Sequence, residues 1–490
     1  MAGVSKKQFI SGAAWKITGE FSAKGISFLV SIVLARLLDP ADYGLLALTA
    51  VFTTFSDMLI DGGFGTALVR KEKVDDFDYT SVQIVSLSIA LVLYAGIFLA
   101  APAVGRYYEE PQLAAILRVI TLVLFVHAAG ATRNAYVARN MQFRLLFVCN
   151  FIACLLSGLT GIAAAACGLG VWALVIQQLS QTVIATALLF VKIRLPFSLR
   201  VQGKRIMEML RFGLGVVGSS VLNYLASSIS NVVIGKHFSV GELGISDKGG
   251  QIPMQLSLYT FGAMSGVLLP TLSSYQNDIP AVRRILRKVV RMTAFLLVPM
   301  MIGLALTAEE VTVLLLTEKW LPIVRIMRYS CLYYLATPFM LINVQLFFAL
   351  GHSFLRVKTE LVRLAMICLS LVLCVTLRWD IYELSLAGAV IAVLSALLTY
   401  FEANRLIGYR FTELLADLAK PMLCGAAMGG FVLLIHGLIS RVHPCPYVLS
   451  AVIKVAAGVL CYGGLSVLLK PDGYTEILKM LSGLRRKPNE

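Results

Sequence analysis

A long apolar stretch near the start of the chain carries ionisable residues at a regular spacing. Lys16, Glu20 and Lys24 recur at every fourth position, and Ser27 and Ser31 continue the series. At about 100° per residue, all five side chains fall on one face of an α-helix. Two ammonium groups against one carboxylate leave an excess positive charge, which in a low-dielectric cavity would bind an anion such as a phosphate. The spacing therefore predicts an anion-binding surface.

The same three charges have a structural alternative. Lys16 with Glu20, and Glu20 with Lys24, form i,i+4 pairs that can neutralise each other on a helix. Lysines near a helix end can also extend to a membrane interface. Pairing still leaves one lysine in excess, and Lys24 lies about 12 Å along the helix axis from Lys16, too deep for easy extension. We therefore favour the anion-binding interpretation.

Three further apolar segments carry polar faces of the same kind. One contains Asp57, with Asp61 one turn later, next to Thr49, Thr53 and Ser56. An ionisable group in apolar surroundings is costly unless it faces protein or water, so each one is a candidate site residue. The predicted substrate-binding residues are Lys16, Glu20, Lys24, Asp57, Asp61, Asn223, Asp247, Lys248 and Gln251.

Composition identifies the elements that must position these residues. The 490 residues are 58% hydrophobic and only 14% charged, against about 25% charged in an average soluble domain, and the mean hydropathy is +0.82. Apolar runs of about 20 residues recur throughout, each long enough to cross a bilayer as a helix. They lack the alternation of barrel strands. The sequence predicts an all-α, polytopic membrane protein and excludes a soluble fold.

Fourteen membrane spans are predicted. Most Lys and Arg residues outside the spans lie in even-numbered loops and the two tails, which predicts cytoplasmic termini. The net charge of +16 follows from this bias, so nucleic acid is not an expected partner. Basic runs such as residues 283–291 are expected to face lipid headgroups. The spans lie near residues 12–35, 44–69, 80–103, 113–132, 146–168, 171–191, 212–235, 246–272, 289–307, 326–350, 360–377, 385–403, 420–438 and 447–469.

No metal site, cofactor or catalytic group is predicted. The nine cysteines lack metal-ligand and redox spacing and are interpreted as small core residues. The charges of the first segment are atypical of a signal peptide, so this segment is interpreted as a retained span. His127 is interpreted as a hydrogen-bonded core residue rather than a proton relay. Arg118 and Lys454 are interpreted as helix-end residues.

The chain also repeats itself. Residues 35–44 read ARLLDPADYG and residues 235–244 read GKHFSVGELG, so basic, acidic and glycine positions coincide at an offset of 200 residues. Six spans separate the copies, which predicts a parallel repeat of two six-helix bundles around a central cavity. Lys16, Lys24 and Lys248 are expected to line that cavity. The predicted parts are an N-terminal lobe (1–194), a cytoplasmic linker (195–211), a C-terminal lobe (212–410), and two additional helices with a cytoplasmic tail (411–490).

Several short motifs resemble the polysaccharide exporter family, in particular its colanic-acid-exporter type. This family lies within the multidrug, oligosaccharidyl-lipid and polysaccharide flippase superfamily. The resemblance covers about residues 8–410. Its motifs are ISGAAW (10–15), VLARLLD (33–39), YGLL (43–46), DGGFG (61–65), RKE (70–72), LRFG (210–213), NYL (223–225) and TEKW (317–320).

The resemblance implies a flippase rather than an enzyme. Its substrate would be a polyprenyl-diphosphate-linked oligosaccharide, carried from the cytoplasmic to the periplasmic leaflet of a bacterial inner membrane. Membrane lipids, a polysaccharide polymerase and the chain-length machinery are the implied partners. After Gly244 the family usually has an aromatic pair, where this chain has Ile245 and Ser246. This departure affects the expected details of the substrate more than the expected fold.

Two rival functions come from different classes. A cation-coupled multidrug antiporter of the same superfamily would have an acidic cavity, for which Asp57 and Asp61 are candidates. A membrane enzyme would need a large external loop with catalytic groups. The longest predicted external loop, residues 308–325, contains carboxylates but no histidine.

Overall fold

The computed structural model describes residues 24–61, 68, 75–195, 224, 228–442 and 446–485, and its regular elements in these ranges are all helical. The helices are α1 (24–37), α2 (Pro40–Asp61), α3 (Asp76–Tyr107), α4 (Pro111–Ile120), α5 (Val123–Arg139), α6 (Phe143–Ala166), α7 (Val171–Lys192), α8 (228–237), α9 (Val240–Ser274), α10 (Ile279–Leu306), α11 (Ala308–Leu315), α12 (Ile323–Ala349), α13 (Ser353–Leu377), α14 (Ile381–Ile407), α15 (Phe411–Val442), α16 (Tyr447–Leu469) and α17 (Asp472–Arg485).

Local sequence signals explain several helix ends. Asp75 caps α3 by accepting a hydrogen bond from the backbone of Asp78, whose carboxylate accepts one from the Asp75 N–H in return. Asp380 and Glu383 form the same reciprocal box at the start of α14. Each box satisfies backbone donors that a helix N-terminus leaves unpaired. Gly408 ends α14 at φ 66°, a left-handed conformation that glycine adopts without steric cost.

The prediction of an all-α polytopic membrane protein is confirmed. Within the described residues, twelve helical segments are long and apolar enough to cross a membrane, counting α4 and α5 as one. The predicted first and seventh spans extend beyond the described ranges. Of these two segments, residues 24–37 and 228–237 are described as helix. The total of fourteen spans therefore stays a prediction.

Two regions differ from the expected helix-and-loop pattern. The predicted fourth span is interrupted, since α4 ends at Ile120 and α5 begins at Val123. The predicted external loop, residues 308–325, is mostly structured: it forms α11 and a 3-10 turn, Glu318–Trp320. Trp320 is fully buried, and this apolar anchor explains why the segment does not extend as a free loop.

The chain divides into two compact units, Met1–Gly244 and Ile245–Glu490. In the first unit, α6 packs along α7 and α3 packs against α4 and α5. In the second, α12 packs along α14, and α10 contacts α12, α15 and α17. The predicted linker, 195–211, falls outside the described residues except for Leu195. The four predicted parts of the chain stay a prediction.

The two repeat glycines lie at one helix contact within the first unit. A Cβ atom on Gly44 would overlap the carbonyl oxygen of Val240, and a Cβ atom on Gly244 would overlap the carbonyl oxygen of Pro40. The contact is reciprocal at the 200-residue offset, as in contacts made about a two-fold axis. Only glycine allows backbones to approach this closely. The repeat motif therefore serves close helix packing.

Candidate functional site

The first unit contains a hydrogen-bonded acid and imidazole. Asp57 projects from α2 and His127 from α5, and Asp57 Oδ1 lies 2.6 Å from His127 Nδ1. Both side chains are partly exposed, at 29% and 37%. His127 is hydrogen-bonded, as predicted, but it is not the core residue that was expected, because its side chain is partly exposed. Its partner, 70 positions away in sequence, was not predicted.

A buried network of hydrogen bonds joins α3 to α5 next to His127. Gln83 on α3 donates to the carbonyl oxygen of Ala128 at 2.8 Å, and Thr132 donates to Gln83 Oε1 at 2.8 Å. Buried polar atoms need such partners, so this network fixes α3 against α5. It supports the backbone beside His127.

The predicted polar face of α2 is largely buried. Thr49, Thr53 and Ser56 are at most 2% exposed, and Thr49 and Thr53 donate to carbonyl oxygens of the preceding turn. Threonine hydroxyls in helices often bond backward in this way instead of facing water. These three side chains are therefore enclosed in this structure, whereas Asp57 is partly exposed.

Several predicted site residues cannot be placed. Lys16, Glu20 and Asn223 lie outside the described residues, and Asp61 is described only as the last residue of α2. Lys24 is an exposed residue of α1. The prediction that lysines of the first segment act together with Lys248 stays a prediction.

The second unit places a lysine inside a membrane helix. Lys248 on α9 is 6% exposed, and its Nζ donates to Gln251 Oε1 at 3.0 Å. Asp247, the preceding residue, is exposed. The structure thus brings Lys248 and Gln251 together at one helical turn. Since the partner atom is an amide oxygen, this hydrogen bond orients the ammonium group.

Close helix packing holds this turn in position. A Cβ atom on Gly249 would lie 2.8 Å from Cγ2 of Ile326 on α12, and one on Gly250 would lie 3.8 Å from the Ser330 hydroxyl. Further along α9, Ser257 donates to the carbonyl oxygen of Tyr334 at 2.9 Å. Sequence reasoning missed these α12 residues. The adjacent glycines after Lys248 were the available signal of a close backbone approach.

The basic run 283–291 does not simply face headgroups. Arg287 forms two hydrogen bonds of 2.8 Å with the Asp417 carboxylate, and Arg291 and Arg283 pair with Asp417 and Glu413 respectively. The arginines repeat at i, i+4 and i+8 on α10, and the acids repeat at i and i+4 on α15. Each set therefore occupies one helix face, and the two faces form a ladder. The headgroup interpretation is corrected for these three arginines.

Lys454 is also not a simple helix-end residue. It is 6% exposed and forms an ion pair with Glu310 on α11, which is 4% exposed and also accepts a hydrogen bond from Ser450 at 2.8 Å. Burial acts to raise the pKa of Glu310, but the hydrogen bonds from Lys454 and Ser450 outweigh it and hold the pKa below its ordinary value. Arg118 does lie in the last turn of its helix, α4, and its guanidinium carbon lies 4.4 Å from the ring centre of Phe98.

A profile of polysaccharide biosynthesis proteins matches residues 33–325. The chain belongs to this family. The match runs through α2 and α9 and so includes Asp57 and Lys248.

Named relatives agree with this membership. The chain is 26% identical over 320 residues, 65% of its length, to the succinoglycan biosynthesis transport protein ExoT of Rhizobium meliloti strain 1021, and the match spans 64% of that relative. It is 22% identical over 479 residues to the teichuronic acid biosynthesis protein TuaB of Bacillus subtilis strain 168, covering 96% of this chain and 98% of that one.

A solved structure has a similar fold. The lipid II flippase MurJ, in an inward closed conformation, superposes with a TM-score of 0.73 at 15% identity, covering 93% of this chain and 99% of that one. At this identity the likeness shows the fold alone. The predicted family and fold class are confirmed.

Proposed function

We propose that the protein is a flippase, not an enzyme, that moves a polyprenyl-diphosphate-linked oligosaccharide from the cytoplasmic to the periplasmic leaflet. The observation that carries the proposal is the buried Lys248 ammonium group, held by Gln251 inside a membrane helix of a polysaccharide biosynthesis protein. Ionisable residues inside membrane helices mark substrate and ion pathways.

The chemistry of the substrate fits an ammonium group. A diphosphate must lose part of its hydration in crossing the bilayer, and a cation in a low-dielectric cavity compensates for that loss. Lysine offers point-charge attraction and three rotatable donors, whereas the rigid fork of arginine would hold a phosphate in one geometry. A flippase must release what it binds. Lys248 is therefore assigned to phosphate contact and Gln251 to its orientation.

Membrane placement belongs to the same proposal. The chain is a multi-pass membrane protein. We assign it to the bacterial cytoplasmic membrane with both termini in the cytoplasm, on the charge bias of its loops. Movement of the substrate would follow alternating access by two parallel six-helix lobes. The polysaccharide polymerase and chain-length machinery would take up the flipped product.

A cation-coupled antiporter is the second candidate, and the Asp57–His127 pair is the observation in its favour. A carboxylate and an imidazole 2.6 Å apart can share a proton, as a proton-coupled carrier requires. The same pair is also a common structural hydrogen bond. A carrier of organic cations would gain nothing from the buried Lys248, because like charges repel, so the flippase is favoured.

The proposal is tested in cells that lack the gene and carry variants at matched expression. Lys248→Gln should abolish surface polysaccharide and accumulate the lipid-linked intermediate in the cytoplasmic leaflet, because the phosphate loses its cation. Lys248→Arg should partly restore export. The matched control is Lys236→Gln, which removes a lysine of α8 that is 38% exposed. Normal export by Lys248→Gln, or equal loss in both glutamine variants, would refute the assignment.

A further inference from the structure

A cavity lies in the second unit, and Lys248 is not among its lining residues. It has a volume of about 410 Å³ and is formed where α10 ends, α11 begins, and α12, α15 and α16 converge. Its ionisable lining residues are Glu309, Glu310, Arg328, His436 and Lys454. This size is within the range of small-molecule sites. Neither the family nor the proposed flipping reaction assigns a ligand to it.

The floor of the cavity has unused hydrogen-bonding capacity. Glu310 Oε1 receives both Lys454 and Ser450, whereas the buried Glu310 Oε2 has no hydrogen-bond partner in the described part of the chain. Lys454 carries three N–H donors, of which one contacts Glu310. Buried polar atoms rarely stay unsatisfied. One acceptor and further donors therefore lie side by side at the floor.

The mouth of the cavity carries both signs of charge. Glu309, Arg328 and His436 are exposed. Arg328 Nε donates to the carbonyl oxygen of Ala305 at 3.2 Å, which fixes the guanidinium at the rim. Together with the floor, the cavity presents carboxylates and cationic or N–H donor groups within one enclosure. A ligand with a cation and an anion a few ångströms apart matches this pattern better than a simple anion or cation.

The position of the cavity along the helices indicates the source of such a ligand. On α10, the arginine ladder begins at Arg283, whereas the cavity is lined by Ala305 and Leu306 at the other end. These ends are about 33 Å apart at 1.5 Å per residue, close to the thickness of a bilayer core. In the membrane orientation proposed above, basic residues collect at the cytoplasmic face, and this orientation places the cavity at the level of the outer-leaflet headgroups.

We infer that this cavity binds the phosphoethanolamine head group of an outer-leaflet phospholipid. The primary ammonium group would donate to Glu309 and to Glu310 Oε2, and the phosphate would accept from Arg328, His436 and Lys454. A choline head group has no N–H to donate to the buried carboxylate, and a glycerol head group has no cation. The site therefore distinguishes ethanolamine lipids from both. It rests on the membrane orientation proposed above, and not on the flipping of the substrate.

The inference is tested on the full-length protein, delipidated in detergent, by thermal unfolding with added lipid. Dihexanoyl phosphatidylethanolamine below its micellar concentration should raise the Tm saturably by about 3–5 °C. Matching dihexanoyl phosphatidylcholine should need at least about tenfold more lipid for the same shift. Free phosphoethanolamine should also be much weaker, because it lacks the glycerol and chains.

Two variants and a matched control locate the effect. Arg328→Gln should lose the shift, because the phosphate loses its rim contact. Glu309→Gln should reduce the preference for ethanolamine over choline. Arg325→Gln, on the same helix and exposed but outside the cavity, should behave as wild type. Equal shifts with both lipids, an unchanged response in Arg328→Gln, or an equal shift with free phosphoethanolamine would overturn the inference.

Discussion

The helices α2 and α9 begin alike but carry opposite chemistry. Both start directly after a two-residue break, and their glycines, Gly44 and Gly244, make reciprocal close contacts. On α2, the partly exposed Asp57 lies about 25 Å along the helix from Pro40. On α9, the buried Lys248 lies about 12 Å along the helix from Val240. One helix therefore presents an acid deep along its length, and the other presents a cation near its start.

The residues at the equivalent positions sharpen this contrast. At the 200-residue offset, Lys248 corresponds to Leu48, which is 1% exposed, and Asp57 corresponds to Ser257, which donates to the carbonyl oxygen of Tyr334. In each helix the position that is charged in the other serves packing or helix contact. The repeat therefore keeps the same close backbone contact in both copies, whereas the charged residues differ between them.

The largest effect is expected from disturbing the close helix contact at Gly44 and Gly244. Gly44→Ala would place a Cβ atom into the carbonyl oxygen of Val240, and two backbones cannot separate without disturbing the whole contact. We expect loss of folded protein, measured as the monodisperse fraction in size-exclusion chromatography. Gly96→Ala on α3, where no atom lies within 4 Å of the added Cβ, should be tolerated. Equal yields from the two variants would contradict the packing role.

A second test separates function from stability at Lys248. Burying a charge is unfavourable even when it is hydrogen-bonded, so Lys248→Met, of similar length, should leave the Tm unchanged or higher while abolishing export. Residues retained for function commonly show this pattern. Thermal unfolding of the purified variant measures the first part. A fall in Tm of more than about 5 °C would indicate a structural lysine instead.

A smaller effect is expected at Asp57 and His127. A partly exposed hydrogen-bonded pair contributes about 1 kcal/mol, so Asp57→Asn and His127→Gln should each lower the Tm by a few degrees. The double variant should be less destabilised than the sum of the two, because both changes remove one interaction. Export should continue in all three. Loss of export in Asp57→Asn with an unchanged Tm would show that Asp57 acts in transport rather than in helix packing.

The smallest effect is expected for an ion pair outside the membrane helices. Lys236 Nζ lies 2.9 Å from Glu109 Oε1, and the carboxylate is 83% exposed. The hydrogen bond from Lys236 holds the pKa of Glu109 below its ordinary value of 4.5. The ion pair therefore stabilises the folded protein at neutral pH, and this stabilisation is lost as the pH falls through the lowered pKa of Glu109.

Comparing the Tm of Lys236→Gln with that of wild type across pH checks this sign. The variant should be slightly less stable at pH 7, and the difference should vanish as the pH falls below the lowered pKa of Glu109. A difference that grows on acidification would contradict the linkage.

Sequence reasoning was strongest where signals are local. Apolar runs of about 20 residues gave the membrane helices, and the repeat led to Gly44 and Gly244. The neighbouring Lys248 and Gln251 were also found, because i,i+3 residues share a helix face. Contacts between distant positions were not found, such as Asp57 with His127 or Glu310 with Lys454. One sequence gives helix faces but not which faces meet.

Flipping in reconstituted vesicles tests the central claim most directly. Proteoliposomes would contain a polyprenyl-diphosphate oligosaccharide with a fluorescent label on the sugar, and membrane-impermeant dithionite would then be added. Wild-type protein should make the inner-leaflet label accessible to dithionite, whereas Lys248→Gln vesicles should lose only the outer-leaflet fraction. If wild-type vesicles quench no further than protein-free ones, or if Lys248→Gln matches wild type, the flippase account with Lys248 as phosphate ligand is wrong.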